Sequence, residues 1–115
     1  MKDAYGELSY KGKTYRYVFN LNVMEEIQAE YGTLSKWGAL TDGKKGEPNA
    51  KAIIFGFHAM LNEGIDIANE ENGTYDEPLT LKQVGRMITD VGLGEATQRV
   101  NDTVIESTKS EVKNG

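Results

Sequence analysis

Residues 6–19 read G-E-L-S-Y, then K-G-K, then T-Y-R-Y-V-F, two β-prone arms around a Gly-bearing turn. Strand alternation puts Tyr15, Tyr17 and Phe19 on one face, and Leu8 and Tyr10 on one face of the first arm. The turn falls at Lys11-Gly12. A two-stranded ribbon is marginal in water by itself, so this aromatic face must be covered by helices or by another chain. That requirement limits what the other hundred or so residues can build. They must supply an apolar surface, and they contain no second pair of strand-like arms.

Beyond Phe19 the apolar residues take up a helical period. Asn22, with Glu25 three residues on, has the form of a capping box; Val23, Met24, Ile27 and Tyr31 recur at helical spacing, and Gly32 is a stop. Residues 33–37 add a further turn, and the Gly-rich, charged stretch 38–49 reads as an exposed, flexible loop. Asn49 caps a second helix with Ile53, Phe57, Met60 and Leu61 on one stripe, Ile54 and Phe55 widening it, and Gly64 as its expected end. Such a helix is central to a core, or its surplus face is an interface. Residues 66–78 are acidic and rich in Gly and Asn, a second expected flexible loop. Thr80 and Gln83 form another capping box before Leu81, Val84, Ile88 and Val91, and Gly92 stops that helix. A last helix carries Ala96, Val100 and Val104. The expected architecture is one α+β domain over 1–115, mainly α: an N-terminal β-hairpin followed by about four short helices.

Chemistry is sparse in this sequence. There is no cysteine and one histidine, which excludes disulfide scaffolds, thiolate metal sites, cysteine nucleophiles and two-histidine mechanisms. Residues 38–45 approach a phosphate-loop pattern, but Lys45 stands where the Mg²⁺-ligating Ser or Thr belongs, and the required strand and helix are missing around it. The acidic stretch near Gly73 fails the register of an EF-hand loop. No catalytic residue, metal ligand or cofactor site is assigned, and the expectation is a protein that binds other proteins without catalysis. The formal net charge of −5 sets the average field against phosphate backbones and anionic lipids, so neither nucleic acid nor membrane is an expected partner. The N-terminus has no apolar run of the secretory kind, which points to the cytoplasm. One alternative remains, a small DNA-binding regulator with a helix-turn-helix over 80–112, although acidic residues outnumber basic ones there.

The order of elements resembles the tail assembly chaperones of long-tailed bacteriophages. The similar segments are G-K-T-Y-R-Y-V-F-N (12–20), L-N-V-M-E-E-I-Q-A-E-Y-G (21–32), A-I-I-F-G-F-H-A-M-L-N-E-G (52–64) and L-T-L-K-Q-V-G-R-M-I-T-D-V-G (79–92). The stretch 38–49 departs from that pattern as an insert. The resemblance implies a non-enzymatic protein of the host cytoplasm that coats the tape measure protein and recruits tail tube protein. With no catalytic residues to carry over, the candidate partner contacts are Trp37, Phe55, Phe57 and His58 around the second helix, and Tyr15 and Tyr17 on the hairpin. The apolar second helix also makes a homo-oligomer an expectation.

Overall fold

The computed structural model describes residues 1–44 and 46–113, with side chains through 109. Strand β1 (Ala4–Tyr10) pairs antiparallel with β2 (Lys13–Phe19), with Tyr10 opposite Lys13 and Ala4 opposite Phe19. Lys11 and Gly12 connect them, both at positive φ, as a two-residue type I′ turn requires. Five helices follow among the described residues: α1 (Leu21–Tyr31), α2 (Leu34–Thr41), α3 (Ala50–Asn72), α4 (Leu81–Val91) and α5 (Leu93–Lys113). The fold is therefore α+β and mainly α, with a hairpin first.

The hairpin lies across α3 with its aromatic face inward. Leu8, Tyr17 and Phe19 are buried there, and the Tyr17 ring meets Phe57 edge-on with centroids 5.0 Å apart. Burying each large side chain stabilises by about 1.5–3 kcal/mol, and an edge-to-face pair adds roughly 0.5–1.5 kcal/mol. The β2 edge is closed by α3: the Arg16 carbonyl sits so near Gly64 that a Cβ at that position would overlap it. An open strand edge is thereby capped by a helix. Behind the hairpin, β1 is tied to α5, where the Ser107 hydroxyl donates to the Lys2 carbonyl and the Lys2 N–H donates to the Ser107 carbonyl at 3.3 Å.

Four expectations change. The helices number five because residues 34–41, partly assigned to a loop, form α2; Lys45 of the phosphate-loop-like stretch lies outside the described residues. Helix α3 is 23 residues long, and Gly64 is a point of close approach inside it; its stop is Gly73, in the left-handed conformation with its N–H donating to the Asn69 carbonyl. The supposed loop 66–78 is thus helical to Asn72. The N-cap of α1 is Asn20, whose Oδ1 accepts from the Val23 N–H at 3.3 Å, and Asn22 is inside the helix. By contrast, the Thr80–Gln83 capping box forms as expected, with both reciprocal bonds present.

Residues 73–80 are held to α3 by two asparagines two helical turns apart. Asn69 accepts from the Asp76 N–H at 3.0 Å and donates to the Asp76 carbonyl at 3.1 Å; Asn62 accepts from the Leu79 N–H at 2.8 Å and donates to the Leu79 carbonyl at 3.1 Å. Each side-chain amide closes a pair of hydrogen bonds on a backbone unit, as a neighbouring strand would.

Replacing Gly64 by Ala forces β2 away from α3 and is expected to cost about 3 kcal/mol of stability in urea or thermal unfolding. Gly38→Ala, in helix α2 with open space around its Cβ position, is expected to gain about 0.5–1 kcal/mol in the same measurement. Asn62→Ala removes the partners of a half-buried backbone unit and is expected to cost about 2 kcal/mol. Hydrogen exchange should show the Leu79 amide losing its protection before the α3 amides do.

Candidate functional site

The six residues singled out from the sequence separate into two groups. Tyr17, Trp37 and Phe57 are core residues: Trp37 and Phe57 are each 1 % exposed, and Tyr17 is 5 % exposed. The Trp37 indole lies over Gly56 so closely that no side chain fits there, and its Nε1–H donates to the Ala52 carbonyl at 2.9 Å. It therefore locks α2 to α3 and offers no surface to a partner. Burial is also the main force raising the Tyr17 phenol above its usual pKa, partly offset by the nearby Arg99 guanidinium and the Thr103 hydroxyl.

Tyr15, Phe55 and His58 stay half-exposed. Tyr15 sits at the hairpin end with the Lys13 ammonium 5.2 Å from its ring centre, and it lines neither of the two depressions next to Phe55. Phe55 and His58 are neighbours on α3. Phe55 is braced by Tyr31 of α1, ring centres 5.5 Å apart and nearly perpendicular. His58 Nε2 lies 3.1 Å from Asn62 Nδ2. Because the Leu79 backbone fixes which end of the Asn62 amide is oxygen, it is the Nδ2 end of Asn62 that faces the His58 ring.

Phe55 divides two surfaces of opposite charge. On one side Glu25, Glu26 and Glu30 of α1 join His58 and Ala29 around a hollow of about 290 Å³. Withdrawal from water raises the Glu26 pKa; the neighbouring His58 opposes this, and Glu25, Glu63 and Asp66 reinforce it. On the other side is an open groove of about 680 Å³ between the start of α3 and the length of α4. Its floor is Ile54 and Phe55 with Leu81, and its rim carries Lys51, Lys82 and Arg86. The groove exists because α4 presents Gly85 toward Ile54, whose Cδ1 is 3.6 Å from the position a Cβ would take.

Of this groove only Phe55 and, as part of the widened stripe, Ile54 were visible in the sequence. Leu81 reads as core from its spacing with Val84 and Ile88, yet it is 51 % exposed. The overlooked signal is a pair of i, i+4 rows on α4, Leu81-Gly85-Thr89 beside Lys82-Arg86, an apolar strip next to a cationic one.

The region 80–112 does place α4 and α5 around Gly92. Its basic residues are not gathered on the second helix, where Arg99 donates to Glu95 at 2.9 Å and to the Glu7 carbonyl at 3.2 Å. No group of three metal-ligating side chains occurs among the described residues, and no helix there is long and apolar enough to cross a membrane. No protein-family model, characterised protein or solved structure matches the chain.

Glu26 supplies a pH dependence. Its folded-state pKa lies above its unfolded value, so the folded chain binds the proton more tightly. Stability falls as pH rises through the interval between those two values and is unaffected by Glu26 below both. Glu26→Gln is expected to raise stability at neutral pH by about 0.5 kcal/mol or less, given its solvent contact, and to have no effect in acid. Urea unfolding across the carboxylate range checks the sign.

Proposed function

We propose that this chain is a non-enzymatic assembly chaperone of long-tailed phages, acting in the host cytoplasm. It would hold the helices of a tape measure protein in solution and bring tail tube protein to them. The observation that carries the reading is the α3–α4 groove, where Ile54, Phe55 and Leu81 form an apolar floor open to solvent beneath a rim of cations. Grooves of this kind receive the apolar face of a helix, and a tape measure protein is a client rich in such faces. The resemblance of residues 12–32, 52–64 and 79–92 to this family supports the same assignment. So does the acidic balance of the chain, since like-charged surfaces keep a chaperone and its loaded complexes from clustering.

Binding by half-exposed side chains of modest area favours release, which an assembly factor needs when tube polymerisation replaces it. Tyr17, Trp37 and Phe57 belong to the scaffold that shapes the groove. Phe55 is the side chain from the sequence-derived set that a client would touch, with His58 on its far flank.

Co-expression with a tape measure protein and a tail tube protein is the direct test. The expected result is co-purification with the tape measure protein and a larger soluble fraction of it. Failure to co-purify with either protein overturns the assignment.

A further inference from the structure

We propose that the α3–α4 groove seats an amphipathic helix of a partner protein whose apolar stripe is bordered on one side by Asp or Glu residues. This takes the groove as the docking surface of the chaperone reading and adds the chemistry of its occupant.

Charge points to this occupant. The chain holds 18 acidic and 13 basic residues, yet every charged side chain lining the groove is a cation: Lys51, Lys82 and Arg86. None of the three makes an ion pair or side-chain hydrogen bond among the described residues, whereas Lys2, Arg16 and Arg99 are each paired with a glutamate. Three unpaired cations around an apolar floor are complementary to carboxylates flanking an apolar stripe.

The dimensions agree. From Leu81 to Thr89 the α4 wall runs about 12 Å at 1.5 Å per residue, roughly two turns of a docked helix. Lys82 and Arg86 are one turn apart, the same repeat at which a partner helix presents carboxylates at i and i+4. The opposite flank of Phe55 is acidic, with Glu25, Glu26 and Glu30. An occupant acidic on both borders would be repelled there, so its carboxylates face Lys82 and Arg86 of α4, and its other border is neutral or basic.

A second copy of this chain fits less well. The described part of α5 exposes Ile105 between Asp102 and Glu106, but its other exposed large apolar residue, Leu93, is at the opposite end of the helix, so no stripe matches the floor.

The test uses the full chain and three synthetic helical peptides with one leucine stripe in common, bordered on one side by Glu, Gln or Lys. Binding is read by fluorescence anisotropy. The Glu peptide is expected to bind at least about ten-fold more tightly than the Lys peptide at low salt, with the gap closing at high salt. In the Lys82→Glu/Arg86→Glu double variant the order of preference reverses. Leu81→Gln, at an exposed position, weakens the Glu peptide about ten-fold; circular dichroism of both variants establishes that they remain folded. Equal affinity for all three peptides, or no binding of any, overturns the inference. So does a dimer of the wild-type chain that the double variant dissolves. Binding of anionic vesicles or an oligonucleotide with that same sensitivity, while the Glu peptide stays free, overturns it as well. Co-purification of the tape measure protein with the double variant would leave the chaperone reading standing and remove this one. Selective peptide binding without tape measure capture would do the reverse.

Discussion

The Arg16 carbonyl resting on Gly64 is the contact on which most of the molecule depends. It brings a strand edge onto the middle of a 23-residue helix, and only a residue without a Cβ permits the approach. That depth governs the neighbouring contacts. Tyr17, next along β2, reaches Phe57 on α3, and the Tyr17 and Phe19 part of the hairpin's aromatic face is buried. Glu63, beside Gly64, accepts from Asn20 at 2.7 Å and from Asn22 at 3.1 Å, so the first turn of α1 is anchored at the same level of α3. Asn20 meanwhile caps α1, and a carboxylate near that N-terminus suits the helix dipole. Beyond Gly64, Arg16 forms an ion pair with Glu71 at 3.7 Å, an exposed contact worth little energetically, on the part of α3 that the close approach has already aligned.

Features set by local chemistry were legible in the sequence. The Lys11-Gly12 turn, the alternation of Tyr15, Tyr17 and Phe19, and the Thr80–Gln83 capping box each depend on residues within a few positions of one another, and each is found where the pattern put it. Features set by a distant partner were not. Gly64 has the appearance of a helix stop because the strand that excludes its side chain lies some fifty residues earlier. Asn69 and Asn62 look like ordinary polar positions, and residues 73–78 like a solvated loop, because the hydrogen bonds between them form only once the chain has turned back. Trp37, named as a candidate partner contact, is core for a similar reason: the residue that decides it is Gly56 on another helix.

The candidate site shows the same division. Helix α3 is apolar around much of its circumference, which signals either deep burial or an interface. The circumference divides by residue: Ile53, Phe57 and Met60 face the core, while Ile54 and Phe55 emerge half-exposed on the flank. What turns that flank into a groove is α4, whose Gly85 leaves space where any larger side chain would fill it. Leu81 is exposed because the α4 face buried by the core is defined by Val84, Met87 and Ile88, and Leu81 lies off that face.

Charge segregation around Phe55 has a physical value that overall composition conceals. At physiological ionic strength the field of an exposed charge decays over about 8 Å, so a docking helix responds to the cations at the groove rim and the glutamates across Phe55 as separate neighbourhoods, and little to the net charge of −5. A purely apolar groove would accept any helix face in either orientation. A groove with one basic wall and an acidic shoulder accepts a face in one orientation, because reversing the occupant places its carboxylates against Glu25, Glu26 and Glu30. For the proposed occupant, apolar area would supply adhesion while the asymmetric rim would supply selection, and selection is what the proposed chaperone role calls for when one client must be held among many helical proteins.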